Sequence, residues 1–403
     1  MKEFFKKIIP SFLLNFYYLL FPFLGALIYG FPSRKLKIIG VTGTNGKTTT
    51  TEMIVKIFEE AGEKTALINS IRFKIGKKEE KNTLRMTMPG RFFIQRFLRK
   101  AVNEGCKYAV LEVTSEGIKQ FRHKFIDFEI AVFTNLSPEH IESHGSYEKY
   151  KKTKGALFEA TKSIHIINIE DKEADFFWGF EAKRKITYGL QRGEVNLKKY
   201  PLKLKLQGDF NLYNALAAVS VAISQGIDFK ICQRALAKIE KMPGRMEEII
   251  SHPFKVIVDY AFTPNALEKV YQTVIRSLNH SNHHSLICVL GSCGGGRDKW
   301  KRPVLGELAA KYCKTVIVTT EDPYDEDPME IIKQVASGTK GRAKEILDRR
   351  MAIREALRLA KEGDIVVITG KGCEPSICIG NKKIPWDDRR VVREEFNKLK
   401  INL

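Results

Sequence analysis

Apolar residues in this chain come in short runs that alternate with amphipathic stretches. Leu36, Ile38, Ile39 and Val41 form a strand-like run that enters a glycine-bearing turn. Met53, Ile54, Ile57 and Phe58 then recur at helical spacing. The same alternation continues downstream. Residues 65–69, 108–113, 130–134 and 164–169 read as strands, and 92–103, 147–160 and 208–224 as helices. Residues 71–83, polar and basic, read as a hairpin or loop. This βαβ order predicts a parallel sheet with its site at the C-terminal ends of the strands.

K-M-P-G-R at 241–245 punctuates the pattern with proline and glycine. Beyond it, 256–259, 286–290, 315–319 and 365–369 are short apolar runs separated by helical stretches. The predicted fold is therefore α/β. A P-loop ATPase-like parallel-sheet domain spans 37–243, and a smaller Rossmann-like α/β domain spans 244–403. Residues 1–36 form a hydrophobic N-terminal segment.

That segment breaks the pattern. Residues 8–33 carry no charge, with Lys2, Lys6 and Lys7 before them and Arg34, Lys35 and Lys37 after. The length suits a membrane anchor or an interfacial helix, and the cations suit lipid headgroups. Pro10, Pro22, Gly25 and Gly30 interrupt the run, which equally suits a hairpin or helix pair packed on the first domain. No small-x-small cleavage site follows, which argues against a secretory signal.

Composition changes the picture in one respect. The 403 residues are 43% hydrophobic and 29% charged, ordinary for a globular chain, but the net charge is +21. Such a balance favours anionic partners. The lysines are spread along the chain with no aromatic-interleaved basic block, so nucleic acid is not the expected partner. Seven cysteines without C-x-x-C pairs suggest free thiols in a reducing compartment rather than a zinc site.

The candidate chemistry begins at G-T-N-G-K-T-T, residues 43–49. A glycine turn between strand and helix presents backbone N–H groups to phosphate. Lys47 neutralises the terminal phosphates and Thr48 offers a hydroxyl to Mg²⁺. The spacing departs from the usual phosphate loop: Val41 stands where the first glycine is expected, and Gly43 lies three before Gly46. Glu112 ends a buried strand, His140 follows another, and Lys154 lies on the next helix. Alone each is weak; their order after the loop makes them a group.

The chain resembles the Mur ligases, ATP-dependent enzymes that form peptide bonds, and within them the tripeptide-synthetase type. The motifs are G-T-N-G-K-T-T (43–49), E-V-T-S (112–115), F-T-N-L-S-P-E-H-I-E-S-H-G (133–145), K-G-A-L-F (154–158), G-D-F-N-L-Y-N-A-L-A-A (208–218), P-G-R-M-E (243–247), V-D-Y-A-F-T-P-N-A-L (258–267), G-G-G-R-D-K-W-K-R-P (294–303) and G-K-G-C-E (370–374).

The resemblance implies ATP and Mg²⁺ as cofactors. Its partners would be a UDP-muramoyl-peptide-like acceptor and an amino acid, joined through an acyl phosphate in peptidoglycan biosynthesis. Gly43, Thr44, Asn45, Gly46, Lys47, Thr48 and Thr49 would hold the phosphates, with Asn211 and Asn214 on the base side. Thr48, Glu112 and His140 would serve metal ions, together with Lys154 as a carbamate. Lys47, Glu112, His140 and Lys154 would form the catalytic group. Thr87, Thr114, Gln120 and Arg122 would meet the acceptor. Arg297, Asp322, Tyr324, Gly370 and Glu374 would hold the incoming amino acid. The expected location is the cytoplasm, with residues 8–33 directing the enzyme to the inner membrane face.

The chain also departs from the family. About 36 largely hydrophobic residues precede the ATP domain where the family has an N-terminal uridine-binding domain, and they are expected to take that domain's place. The D-N-P-R motif, whose arginine clamps diaminopimelate, reads E-D-P-Y at 321–324. Phe262 and Cys373 stand where histidines are usual, and Thr114 where serine is. Two alternatives are a folylpolyglutamate- or cyanophycin-type ligase, and a membrane-associated ATP-binding module without turnover.

Overall fold

The computed structural model describes residues 11–84, 86–278 and 285–401, without the side chains of 11–15 and 400–401. Residues 8–10 of the hydrophobic segment lie outside this range. The chain divides into two compact units. One comprises 1–137, 147–204 and 210–239; the other comprises 138–146, 205–209 and 240–403.

The first unit is built on eight strands. They are β1 (Lys37–Thr42), β2 (Thr65–Ile68), β3 (Arg72–Ile75), β4 (Lys78–Lys81), β5 (Tyr108–Glu112), β6 (Phe128–Phe133), β7 (Ile164–Asn168) and β8 (Arg184–Tyr188). The sheet order is β4-β3-β2-β5-β1-β6-β7-β8. The six strands from β2 to β8 in that order run parallel, and β3 and β4 fold back antiparallel at one edge. β1 lies centrally because every residue from Ile38 to Thr42 is buried, so both faces must be covered. Lys37 alone is exposed, at the strand entrance.

Helix Lys47–Glu60 follows β1 and starts with four threonines. β-Branched residues are poor helix formers. Here their hydroxyls have partners: Thr48 donates to Glu112 (2.9 Å), Thr50 to Asn214 (3.3 Å) and Thr51 to the Thr48 carbonyl (2.7 Å).

The described part of the hydrophobic segment is one helix, Ser11–Ile28, followed by a short 3-10 turn. It packs along helix Arg91–Asn103. A Cβ at Gly25 would lie 3.4 Å from Gln95, the Phe21 and Phe92 rings meet edge-on, and Arg99 donates to the carbonyls of Tyr29 (2.7 Å) and Gly30 (2.9 Å). Among the described residues no helix is long and apolar enough to cross a membrane.

The second unit holds β9 (Glu247–Ile250), β10 (Lys255–Val258), β11 (Leu286–Leu290), β12 (Thr315–Thr319), β13 (Ala343–Ile346) and β14 (Ile365–Ile368). Their order is β13-β12-β11-β14-β10-β9, parallel except for β9 at one edge. A separate hairpin, β15 (Ser376–Ile379) and β16 (Lys382–Pro385), follows the glycine-rich turn after β14. Apolar clusters cover both faces of the sheet. Helices Lys301–Tyr312 and Pro328–Ser337 come unusually close. A Cβ on Gly306 would fall 1.9 Å from the Val335 carbonyl oxygen, and one on Gly338 would fall 1.9 Å from that of Pro303.

Candidate active site

β1 delivers the chain into the glycine turn, and the ends of neighbouring β5 and β6 supply what surrounds it. Thr44 N–H donates to the Asn135 carbonyl (2.8 Å) and Asn45 N–H to Asn135 Oδ1 (3.0 Å). Thr134 Oγ1 and Asn135 Nδ2 donate back to the Asn45 carbonyl (2.7 and 3.0 Å). The turn is thus fixed by the two residues that follow β6. Both of its glycines are required by space and backbone. Gly43 has φ 147°, and a Cβ there would meet Thr134 Oγ1 at 1.9 Å; Gly46 has φ 83°, and its Cβ would meet Asn214 Oδ1 at 2.3 Å.

Lys47 Nζ donates to the carbonyls of Gly43 (3.0 Å) and Thr44 (2.9 Å), so it arches over its own loop. Lys154, on helix Tyr147–Ala160, donates to the same Gly43 carbonyl at 2.8 Å and sits 4.7 Å from the centre of the Tyr150 ring. Lys154 is buried. That burial, with the charge of Lys47 beside it, holds its amine well below its ordinary basicity, against an opposing pull from Glu112. Tyr150 in turn meets Thr44 Oγ1 at 3.1 Å.

Glu112, the last residue of β5, is a buried carboxylate met by hydroxyl and amide donors. Thr48 Oγ1 (2.9 Å), Ser70 N–H (3.0 Å) and Ser70 Oγ (3.2 Å) all donate to it. A phosphate cradle, a hydroxyl and a carboxylate at the first turn of a helix are the donor set that suits Mg²⁺ bound with a nucleotide, because the cation then takes its remaining oxygens from phosphate and water. Among the described residues no cluster of three or more His, Cys, Asp or Glu could hold a metal by itself. Asn211 and Asn214 lie on helix Asp209–Ser224 and hydrogen-bond each other at 3.3 Å. Asn214 reaches the first turn of the phosphate-loop helix through Thr50.

The four acceptor candidates gather around one stretch. Thr87 Oγ1 meets Ser70 Oγ at 2.8 Å and so connects to Glu112. Thr114 caps helix Ser115–Lys119 by accepting from Gly117 N–H (3.1 Å). Arg122 donates to Gln120 Oε1 (2.7 Å) and to the Met88 carbonyl, and Arg91 donates to the Gln120 carbonyl (2.7 Å). Ser70 and Arg91 were not expected from the sequence. Ser70 carries only the signal of a polar residue just past a buried strand.

In the second unit, Lys371 is fully buried between Asp322 (2.8 Å) and Glu374. Tyr260 Oη donates to Glu374 Oε1 (2.8 Å), and Cys378 N–H to Asp322 Oδ1 (2.8 Å). Gly370 has φ 102°, and a Cβ there would meet Glu321 Oε2 at 2.3 Å. Tyr324 takes a left-handed backbone, φ 52°, and its ring rests over Gly295, whose Cβ position lies 2.7 Å from it. Arg297 follows Gly296 on that same turn. The pocket candidates Asp322, Gly370 and Glu374 are therefore joined through Lys371 and Glu321, while Tyr324 and Arg297 meet at the glycine turn. Lys371, Glu321 and Tyr260 were missed by the sequence reading, although Lys371 sits inside the G-K-G-C-E run.

His140 belongs to this second unit. It has φ 57° and precedes the turn Ile141–His144, whose first N–H groups donate to Asp298 (3.2 and 2.9 Å). The neighbouring Glu139 is buried against Lys301 at 2.8 Å. The structure thus brings Lys47, Thr48, Glu112 and Lys154 together within one unit and places His140 in the other.

The chain is similar to known proteins along most of its length. Residues 41–222 match the Mur ligase middle domain, and 244–372 match the Mur ligase, glutamate ligase domain. A UDP-N-acetylmuramoyl-L-alanyl-D-glutamate–2,6-diaminopimelate ligase of Syntrophomonas wolfei is 40% identical over 399 residues, covering 92% of this chain and 80% of that protein. A UDP-N-acetylmuramyl-tripeptide synthetase of Roseiflexus sp. is 36% identical, covering 93% and 81%. A solved diaminopimelate ligase of the same name aligns at 32% identity with TM-score 0.59, over 91% of this chain and 79% of its own. The Mycobacterium tuberculosis folylpolyglutamate synthase shares the fold, with TM-score 0.69 at 18% identity over 87% and 92%. The chain therefore spans about four fifths of its curated relatives, and it belongs to the Mur ligase family.

Proposed function

We propose that this chain is an ATP-dependent ligase that joins an amino acid to a UDP-N-acetylmuramoyl-peptide-like acceptor in peptidoglycan synthesis. The observation that carries the reading is Thr48 and Lys47 at the phosphate loop with Glu112 seated on the Thr48 hydroxyl. That arrangement, in a family of ATP-dependent ligases, supports activation of a carboxylate by phosphoryl transfer.

A carboxylate cannot expel oxide, so it must first be converted. Its oxygen attacks the γ-phosphorus, ADP leaves, and an acyl phosphate forms. The amine of the amino acid then attacks the acyl carbon, phosphate departs, and the amine's proton passes to solvent. Backbone N–H groups of Gly43–Thr49 and the Lys47 ammonium would hold the phosphates and offset the charge that grows in the transition state. Bound Mg²⁺ would supply further neutralisation of the phosphate oxygens. Thr48 and Glu112 would hold it, with His140 assigned to a second ion and Asn211 and Asn214 to the base side.

Lys154 is assigned as the carbamylated lysine. A depressed basicity supports this, since only a neutral amine attacks CO₂, releasing one proton as the N–C bond forms. Thr87, Thr114, Gln120 and Arg122 are assigned to the acceptor. Arg297, Asp322, Tyr324, Gly370 and Glu374 are assigned to the amino acid. Tyr324 offers a phenol where a guanidinium would clamp a distal carboxylate by two charge-assisted bonds. We therefore expect diaminopimelate to hold no KM advantage over lysine or ornithine. We assign the reaction to the cytoplasm, and the apolar helix Ser11–Ile28 supports a position at the inner face of the membrane.

The test is ligation of UDP-muramoyl dipeptide with a panel of diaminopimelate, lysine and ornithine, read by mass spectrometry together with ADP release. A mass increase of one residue, dependent on ATP and acceptor, is expected. ADP release that ignores the acceptor with every amino acid would refute the ligase reading.

A further inference from the structure

Helix Ser11–Ile28 has two apolar faces, and only one of them is used. Its inner side carries Pro22, Gly25 and Ala26, all buried toward helix Arg91–Asn103 and its surroundings. The outward side carries Phe16 (62% exposed), Leu19 (42%), Phe23 (39%) and Leu27 (54%), with exposed Tyr17 and Ile28 beside them and the Phe23 ring 5.4 Å from that of Phe125. At 100° per residue these four fall within roughly an 80° arc, about half a turn from Gly25. A helix at a water-facing surface normally turns polar residues outward. This one turns out aromatic and aliphatic side chains in a row roughly 17 Å long, at about 1.5 Å per residue.

Charge says what the row faces. From Phe4 to Thr51 there is no acidic residue, and helix Arg91–Asn103 carries Arg91, Arg96, Arg99 and Lys100 without any. Arg34 and Lys35, just past the helix, are exposed. Among the described residues Asp127 pairs with this group, meeting Arg34 at 3.5 Å on the open surface. An apolar stripe flanked mainly by cations is complementary to a surface that is apolar within and anionic at its rim. A second copy of the chain, docked about a two-fold axis, would bring like charges together.

We propose that helix Ser11–Ile28 lies in the plane of an anionic lipid bilayer. Phe16, Leu19, Phe23 and Leu27 enter the acyl boundary, and the exposed cations Arg34, Lys35, Arg96 and Lys100 meet lipid phosphates. The inner face stays on the protein, so the helix rests on the membrane without crossing it. This deepens the location given under the proposed function and is independent of the reaction.

Co-sedimentation of the full chain with phosphatidylglycerol–phosphatidylcholine vesicles, and with phosphatidylcholine vesicles alone, tests it. The chain is expected to partition at least tenfold more strongly onto the anionic vesicles. F16S/F23S should lose most of that binding with at most a small drop in thermal midpoint from the lost Phe23–Phe125 contact. R34E/K35E should weaken it several-fold. If F16S/F23S proves unstable, L27Q carries the test alone, because Leu27 is 54% exposed. Equal binding to both vesicle types, unchanged binding by the variants, or self-association through this helix in place of lipid binding would each overturn the proposal. Because the readout is partition, its failure leaves the ligation result untouched.

Discussion

Lys47 makes two hydrogen bonds to carbonyls of its own loop, so its ammonium is already placed over the phosphate cradle. Replacing it with methionine keeps the length and removes the charge. We expect Lys47→Met to lower kcat for acceptor-dependent ADP release by about 10²–10³-fold, with the folded state intact by circular dichroism. His123 makes a different point. It is buried, and among the described residues neither ring nitrogen has a hydrogen-bond partner; burial, with Lys124 nearby, lowers its pKa to about 4. In the unfolded chain it titrates near its ordinary value, 6.5. As pH falls through that value the unfolded state gains a proton that the folded state refuses. Stability is therefore lost between about pH 6.5 and pH 4, by up to about 3 kcal/mol. Urea denaturation at pH 7 and pH 4.5 should show this loss, and His123→Leu should shrink it. Nothing in the sequence around His123 announces this behaviour, because it depends on what the fold places around the ring.

At the scale of elements, the long buried strands and the amphipathic helices were legible because periodicity reports burial. β1, β5, β6, β11, β12 and β14 all appear where apolar runs predicted them, and residues 71–83 fold as the β3–β4 hairpin. β8, β9, β13 and the β15–β16 hairpin were missed. β8, β9 and β13 lie at sheet edges, and β16 is wholly exposed with the sequence K-K-I-P. Such strands are specified by their partners and carry little pattern of their own. The phosphate loop and Glu112 were readable because a motif fixes them in sequence. Ser70 was not, since it is one polar residue brought in by tertiary packing, and Tyr260, though inside the 258–267 motif, shows its role only through its bond to Glu374. The contact between helices Lys301–Tyr312 and Pro328–Ser337 was equally hidden, because a single glycine has many reasons to exist. There a methyl group has no room. Gly306→Ala is expected to cost about 1–3 kcal/mol through overpacking, seen as a lower urea midpoint, whereas alanine at exposed Gly62, with no atom within 4 Å of its Cβ position, meets only the backbone strain of φ 82° and leaves core packing undisturbed.

For the molecule as a whole, the +21 charge is a field rather than a site. ATP and the proposed diphosphate-linked acceptor are polyanions, and their encounter with a cationic surface is screened by salt over about 10 Å at 0.1 M. We expect KM for the acceptor to rise several-fold between 0.02 and 0.2 M NaCl with kcat nearly constant, measured by initial rates of ADP release. A KM insensitive to salt would show that the excess charge plays no part in capturing substrate.

The packing of helix Ser11–Ile28 also bears on how its role can be examined. Its glycine face is the cover for Phe92 and Gln95, and the carbonyls of Tyr29 and Gly30 accept from Arg99. A chain truncated before β1 would therefore strip an apolar helix face and leave a guanidinium without those acceptors. Such a chain would tend to aggregate and to sediment with vesicles, or without them, for reasons unrelated to lipid. Truncation would counterfeit the very behaviour it was meant to abolish, whereas substitutions on the outer stripe leave the cover in place.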